Sequence, residues 1–241
     1  MDGMKLEPQP HEGSAPASSS AKLKLELASP PAAAAARDAV QREAQQLSLP
    51  VAAVRDCLLV GRTAACLSAE GAAALRQLRV SHVVAVTVEP SATAAASAAG
   101  LGVLQLDVVD DIDAPLHAHL DAAAAFLHAA VGGGAAACVC CSGGASAGPA
   151  VAMYYLMRHG GLSLAEALDE VSAALPAAQP NIGFIQRLIE AEAWLRGALA
   201  PSLTIQQYKW RFLQRLFPDA ERQRIFEALH GGRHEIARLL S

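Results

Sequence analysis

Residues Cys141–Gly148 read C-S-G-G-A-S-A-G, between the apolar run Ala135–Cys140 and a helical stretch that begins at Pro149. A strand, a small-residue loop opening on cysteine and a helix together build an anion cradle. Backbone N–H groups converge, the helix N-terminus adds positive potential, and a thiolate can sit at the base. Thiolate attack on a phosphate ester needs two further groups: a cation for the phosphoryl oxygens and an acid for the leaving oxygen. The loop supplies Cys141, Ser142, Gly143, Gly144, Ala145, Ser146 and Ala147, and no cation. No Lys or Arg occurs in the 78 residues from Val80 to Met157, whereas Glu89, Asp107, Asp110, Asp111, Asp113 and Asp121 all do. A cation must come from outside that span, with Arg62 and Arg187 as candidates.

Plainer roles stand beside these. Cys141 can be a small buried apolar residue, as free cysteines commonly are, or a redox-responsive thiol next to Cys140. Cys138, Cys140 and Cys141 lack the further ligands that tetrahedral zinc requires, so no metal and no other cofactor is expected. Asp110, Asp111 and Asp113 fit a solvated turn, with Asp113 at the start of a helix. His117, His119 and His128 fit surface positions of that helix, and Asn181 fits the cap of another.

The elements that position the loop follow from periodicity. Strands are expected at Ala53–Val60, Val80–Val88, Val103–Val109 and Ala135–Cys140. Helices are expected at Glu70–Leu78, Ala114–Val131, Pro149–Arg158, Ser163–Leu175 and Asn181–Arg196, with a short helix or loose connection at Ser91–Gly100. Ser163 with Glu166 has the spacing of a capping box. This alternation predicts an α/β fold with a mostly parallel central sheet flanked by helices, followed by a helical C-terminal extension.

The 241 residues divide by composition. Residues 1–48 form an Ala/Ser/Pro-rich segment expected to be disordered, with a nascent helix near Arg37–Leu47. The domain is expected over 49–197 and the extension over 198–241. In the extension, Phe212, Leu213, Leu216 and Phe217 are expected to dock on the domain, with partner or RNA recruitment as the alternative. The net charge of −4 argues against a general nucleic-acid binder and leaves the basic tail as the one candidate contact. No apolar run has the length of a membrane span. Five cysteines without a secretory signal point to a cytoplasmic or nuclear setting. An organelle transit peptide is disfavoured by Asp2, Glu7, Glu12 and Glu26.

The segment opening on Cys141 resembles the signature loop of cysteine-dependent dual-specificity phosphatases: His-Cys, five residues, Arg, then Ser or Thr. Cys141 falls at the nucleophile, and Gly144 and Ser146 match. Cys140 stands for the His, Ala147 for the Arg and Gly148 for the hydroxyl residue. L-L-V-G (Leu58–Gly61) resembles the first-strand pattern, and V-L-Q-L-D-V-V-D (Val103–Asp110) resembles the strand and loop bearing the general acid. Leu162, Ala167, Pro176, Asn181, Gly183 and Phe184 reproduce the spacing after the loop, and I-Q-Q-Y-K (Ile205–Lys209) resembles the dual-specificity phosphatase 12 subgroup. That subgroup's zinc-binding domain has no counterpart after Ser142, where no cysteine occurs.

The resemblance implies Cys141 as nucleophile and Asp110 as acid, both vestigial without the Arg. It implies a pseudophosphatase that binds or scaffolds proteins, such as phosphoproteins or members of a phosphatase or kinase pathway. The alternative is a weak or atypical protein tyrosine/serine/threonine phosphatase using Cys141.

Overall fold

The computed structural model describes residues 30–218, apart from 56, 87–88, 90–92 and 198–199, together with 224, 225 and 229. Five strands form one sheet: β1 (Val51–Arg55), β2 (Leu58–Arg62), β3 (Val80–Val86), β4 (Gly102–Leu106) and β5 (Ala136–Cys141). The helices are α1 (Pro30–Gln46), α2 (Thr63–Cys66), α3 (Ala69–Gln77), α4 (Ala94–Ala98), α5 (Leu120–Gly132), α6 (Ala147–Gly160), α7 (Leu164–Ala174), α8 (Ile182–Arg196) and α9 (Ile205–Leu216).

The strand order is β1-β2-β5-β3-β4. Only the β1–β2 pair is antiparallel. Strand β5 is central and buried throughout. Its alternate residues Ala137, Val139 and Cys141 join the core under α5–α8, while Ala136, Cys138 and Cys140 join the core with residues of α1, α3 and α4. Period-two alternation therefore puts the adjacent Cys140 and Cys141 on opposite faces of the sheet.

Three expectations need correcting. The single first strand at Ala53–Val60 is a hairpin, β1 and β2, because charged Arg55 and Asp56 split the apolar run. The helix expected as nascent near Arg37–Leu47 is the formed helix α1, which starts earlier, at Pro30, and packs on the domain. Val40, Ala44 and Leu47, spaced i, i+4 and i+7, pack on the core, and Ala44 is fully buried. The Gln41 amide donates to Val51 O (3.0 Å) and accepts from Ala53 N–H (2.8 Å), so it satisfies the open edge of β1. The folded unit thus extends N-terminally beyond residue 49, and residues 1–29 lie outside the described ones. Asp113 does not cap a helix. Its N–H bonds Asp111 Oδ1 in a turn (2.9 Å), and α5 starts at Leu120 after a 3-10 turn, Leu116–His119. His128 is half-buried, stacked on His159 at 4.0 Å. Burial, then His128, pushes the His159 pKa down to about 4.

The other caps follow the sequence. Ser163 and Glu166 close a capping box on α7, and Asn181 caps α8. The C-terminal extension docks on the domain, with Leu213 among its anchors as expected and Leu203 and Tyr208 added to it. Leu203, Tyr208 and Leu213 are buried, whereas Leu216 is 53% exposed. The Tyr208 hydroxyl donates to Pro180 O at 2.6 Å. No described helix is long and apolar enough to cross a membrane.

Glu192 ties the extension to the domain. Its side chain, 1% exposed, accepts from Leu164 N–H (2.8 Å), Ser202 N–H (2.9 Å) and Ser202 Oγ (2.6 Å). Burial pushes its pKa up, but these donors outweigh it and hold the carboxyl below its ordinary 4.5. Its contribution is therefore complete above pH 4.5 and is lost as pH falls through the lower folded value. Glu192→Gln should cost about 1–3 kcal/mol at pH 7. The gap from the unsubstituted chain, measured by thermal unfolding, should narrow below pH 4.5. A gap independent of pH would contradict this role.

Candidate functional site

The site lies where β5 ends and α6 begins. Cys141 is the last residue of β5 and is 5% exposed. The backbone N–H groups of Gly148, Gly144 and Ser146 lie around its thiol and favour the thiolate, and the Gly144 N–H donates to the Cys141 carbonyl at 3.2 Å. Burial is nevertheless the largest influence and raises the thiol pKa above its ordinary value, against those three donors. Ala147, 3% exposed, packs into the core at the first position of α6. No guanidinium enters the loop from that position.

Asp110 sits beside the loop. Its Oδ1 accepts from Ser146 Oγ at 2.7 Å and from Asn181 Nδ2 at 2.7 Å. Asn181 also donates Nδ2 to Asp111 O (3.2 Å) and its backbone N–H to Ser146 Oγ (3.0 Å). Its Oδ1 accepts from Phe184 N–H (2.9 Å) and so caps α8. One asparagine therefore joins the acid loop, the signature loop and a helix N-terminus. Gly183 allows the approach: a Cβ there would fall 1.8 Å from Ile112 O. The structure brings together Cys141, Asp110, Ser146 and Asn181. A proton leaving Asp110 would have to come from Oδ2, since Oδ1 is an acceptor twice.

The two outside cations part company. Arg187 is ion-paired with Glu190 at 2.9 Å on the surface of α8. Arg62 ends β2 in register with Cys141 on the neighbouring parallel strand, so both side chains leave the same sheet face. Its stem lies against the loop: a Cβ on Gly144 would be 2.7 Å from Arg62 Cγ, and Gly144 has φ +72°. Glycine is needed there on both counts. On the other face, Cys66 lies beside Cys138 and Cys140, all three fully buried. Hydrogen bonding to a neighbouring thiol (Cys138 for Cys66, Cys66 for Cys140), and then burial, raise the Cys66 and Cys140 thiols well above the ordinary range. The Ser146–Asp110 bond was not foreseen from sequence. Its only signal there is a hydroxyl in the loop and a carboxylate after β4.

Two measurements test this geometry. Asn181→Ala removes a cap worth about 1 kcal/mol along with donors to a carboxylate, and stability should fall by about 1–3 kcal/mol. Asn181→Asp keeps the cap acceptor but faces Asp110 with a second carboxylate, so it should not restore the loss. Full recovery with Asp would mean that capping alone matters. Iodoacetamide labelling of Cys141 against pH, followed by peptide mapping, should show a midpoint above about 8.5, the value of a free thiol. A midpoint below about 6.5 would require a cation over the sulfur.

Comparison with known proteins follows the same outline. The family described as "dual specificity phosphatase, catalytic domain" matches residues 64–193, more than half of the 241. Human dual specificity phosphatase 28 is 37% identical over 106 residues, covering 42% of this chain and 60% of that protein. The chain thus spans about three fifths of that relative's length. The crystal structure of human DUSP28 is 36% identical with a TM-score of 0.56, covering 61% of this chain and 95% of that one. A mouse putative dual specificity phosphatase complexed with zinc tungstate is 34% identical with a TM-score of 0.57, covering 62% and 90%. The human relative carries the number 28 rather than the 12 of the subgroup that Ile205–Lys209 resembles; that segment forms the first turns of α9. By the family match and by the strand-loop-helix carrying Cys141, this chain belongs to the dual-specificity phosphatase family.

Proposed function

We propose that this chain is a noncatalytic member of its family, a protein-binding or scaffolding domain. The observation that carries the reading is Ala147, buried in the core at the position of the signature arginine. Phosphoryl transfer by a thiolate depends on positioned cations, and an arginine at the transition state is worth about 10³–10⁵ in rate. The raised thiol pKa of Cys141 also disfavours the attacking thiolate. The two hydrogen bonds on Asp110 Oδ1 suit a joint between loops better than a proton donor. What remains is a rigid loop with a shaped surface, suited to holding a partner. Cytoplasmic or nuclear phosphoproteins and members of phosphatase or kinase pathways are the partner classes the resemblance suggests. The second reading, a weak phosphatase using Cys141 and Asp110, is favoured by the nearness of Arg62 to the loop.

Hydrolysis of an aryl phosphate by the full chain should stay at background, and Cys141→Ser should not change it. Turnover that disappears in Cys141→Ser would sink the noncatalytic reading. Ala147→Arg should return a guanidinium to the loop and give vanadate binding, measured by calorimetry, that the unsubstituted loop lacks.

A further inference from the structure

An open cleft of about 710 Å³ runs along the flank of the signature loop. Its walls are Arg37 and Gln45 of α1, the start of β1 from Val51 to Ala53, Arg62, and the loop residues Gly143–Ala145. Neither Cys141 nor Asp110 lines it, so it is distinct from the mouth above the thiol. Three charged residues line it: Arg37, Asp38 and Arg62. Arg37 and Asp38 neutralise each other across a 3.0 Å ion pair. Gln41 has its amide engaged by the backbone of β1. Arg62 is exposed and forms no hydrogen bond or ion pair among the described residues. The cleft therefore carries one uncompensated guanidinium, held along the loop at Gly144.

We propose that this cleft is an anion-binding subsite that takes the phosphoryl group of a phosphorylated peptide, with Arg62 as its clamp. The proposal rests on the noncatalytic, partner-binding reading above. A guanidinium presents a planar fork of N–H donors that fits two phosphoryl oxygens at once. Gln45 can add a neutral donor from the opposite wall. The size of the cleft exceeds a bare anion and suits a side chain with its neighbours. The apolar wall of Val51–Ala53 and Ala173–Leu175 would cover the stem of a phosphotyrosine, which free phosphate would leave exposed to water. The cation that the loop lacks at Ala147 is thus supplied one strand away, placed to hold a phosphoryl group beside the thiol rather than over it.

Calorimetry on the full chain decides this with three probes: a short phosphotyrosine peptide, the same peptide unmodified, and inorganic phosphate. The phosphopeptide is expected to bind, the unmodified peptide not to bind, and phosphate to bind at least tenfold more weakly. Arg62→Ala should weaken the phosphopeptide at least tenfold, and Arg62→Lys by less. Arg37→Glu, on the far wall, should weaken it too, because the anion lies in the cleft and not over Cys141. Arg187→Ala should leave binding unchanged. Unaltered binding in Arg62→Ala or in Arg37→Glu overturns the proposal, as does equal binding of the unmodified peptide. Phosphate binding as tightly as the phosphopeptide overturns the peptide assignment. Release of phosphate from the peptide would overturn the noncatalytic reading instead, and the Arg62 comparison would still decide the subsite.

Discussion

Asp110, Ser146 and Asn181 meet in one hydrogen-bonded triangle, and the shape of the site depends on it. Asp110 belongs to the connection after β4, Ser146 to the signature loop, and Asn181 to the start of α8. Residues 36 and 71 positions apart are fixed to one another by bonds of 2.7 Å. Hydrogen bonds to a charged group contribute about 1.5–3 kcal/mol each, enough to hold loops that have little apolar surface to bury. The contact is self-consistent: the loop curves so that its N–H groups face Cys141, Ser146 turns outward to Asp110, and Gly183 lets α8 close to backbone distance of Ile112. These bonds tie the loop to its neighbours with no arginine in the loop itself.

The electrostatics of that cradle come from what the span Val80–Met157 lacks. With no cation in those 78 residues, the influences that favour the Cys141 thiolate among the described residues are the N–H groups of Gly148, Gly144 and Ser146. A helix N-terminus is worth about 0.3–2 kcal/mol depending on burial, and desolvating a thiolate exceeds that here. The field around Cys141 thus resembles an ordinary core more than a reactive centre. Arg62 reaches the loop from the neighbouring strand, but it touches the loop at Gly144 and lines the lateral cleft. Its charge serves a ligand beside the loop better than it serves the sulfur.

Much of this was legible in the residues. Strand β5, the loop and α6 announce themselves because a β-rich apolar run meets a small-residue turn and then a helix. The capping box at Ser163 and the cap at Asn181 are local chemistry and were correctly placed. What was missed depends on distance or on weak hydrophobicity. Helix α1 was expected only as a nascent helix near Arg37–Leu47; its packing was missed because it has few large apolar residues and its stripe of Val40, Ala44 and Leu47 hardly stands out from an Ala-rich segment. Its chief tertiary bond, from Gln41 to an edge strand, leaves no trace in periodicity. The hairpin was read as one strand because only two residues, Asp56 and Cys57, separate β1 from β2. The docking of α9 and its anchor Leu213 were anticipated, but Leu203 and Tyr208 were not. Tyr208 is held by a carbonyl at Pro180, a partner no helical wheel can show.

The departures in the signature loop are coupled to the cores on either side of the sheet. Cys140 is fully buried against Cys66 and Cys138, in a pocket shaped for thiols. A histidine there would be larger and more polar than its surroundings, and overpacking of this kind typically costs about 1–3 kcal/mol. Gly148 stands so close to Cys141 that an added Cβ would sit 3.2 Å from the sulfur. Ala147 is part of the core beneath α6. Each position has been absorbed into packing, so reverting one changes the fit of its neighbours, and the energies of such changes do not add. The cysteines facing one core and the alanine and glycine facing the other thus form a single adjusted set. The loop itself carries no cation, and the guanidinium stem that lies against it at Gly144 is that of Arg62 on the neighbouring strand.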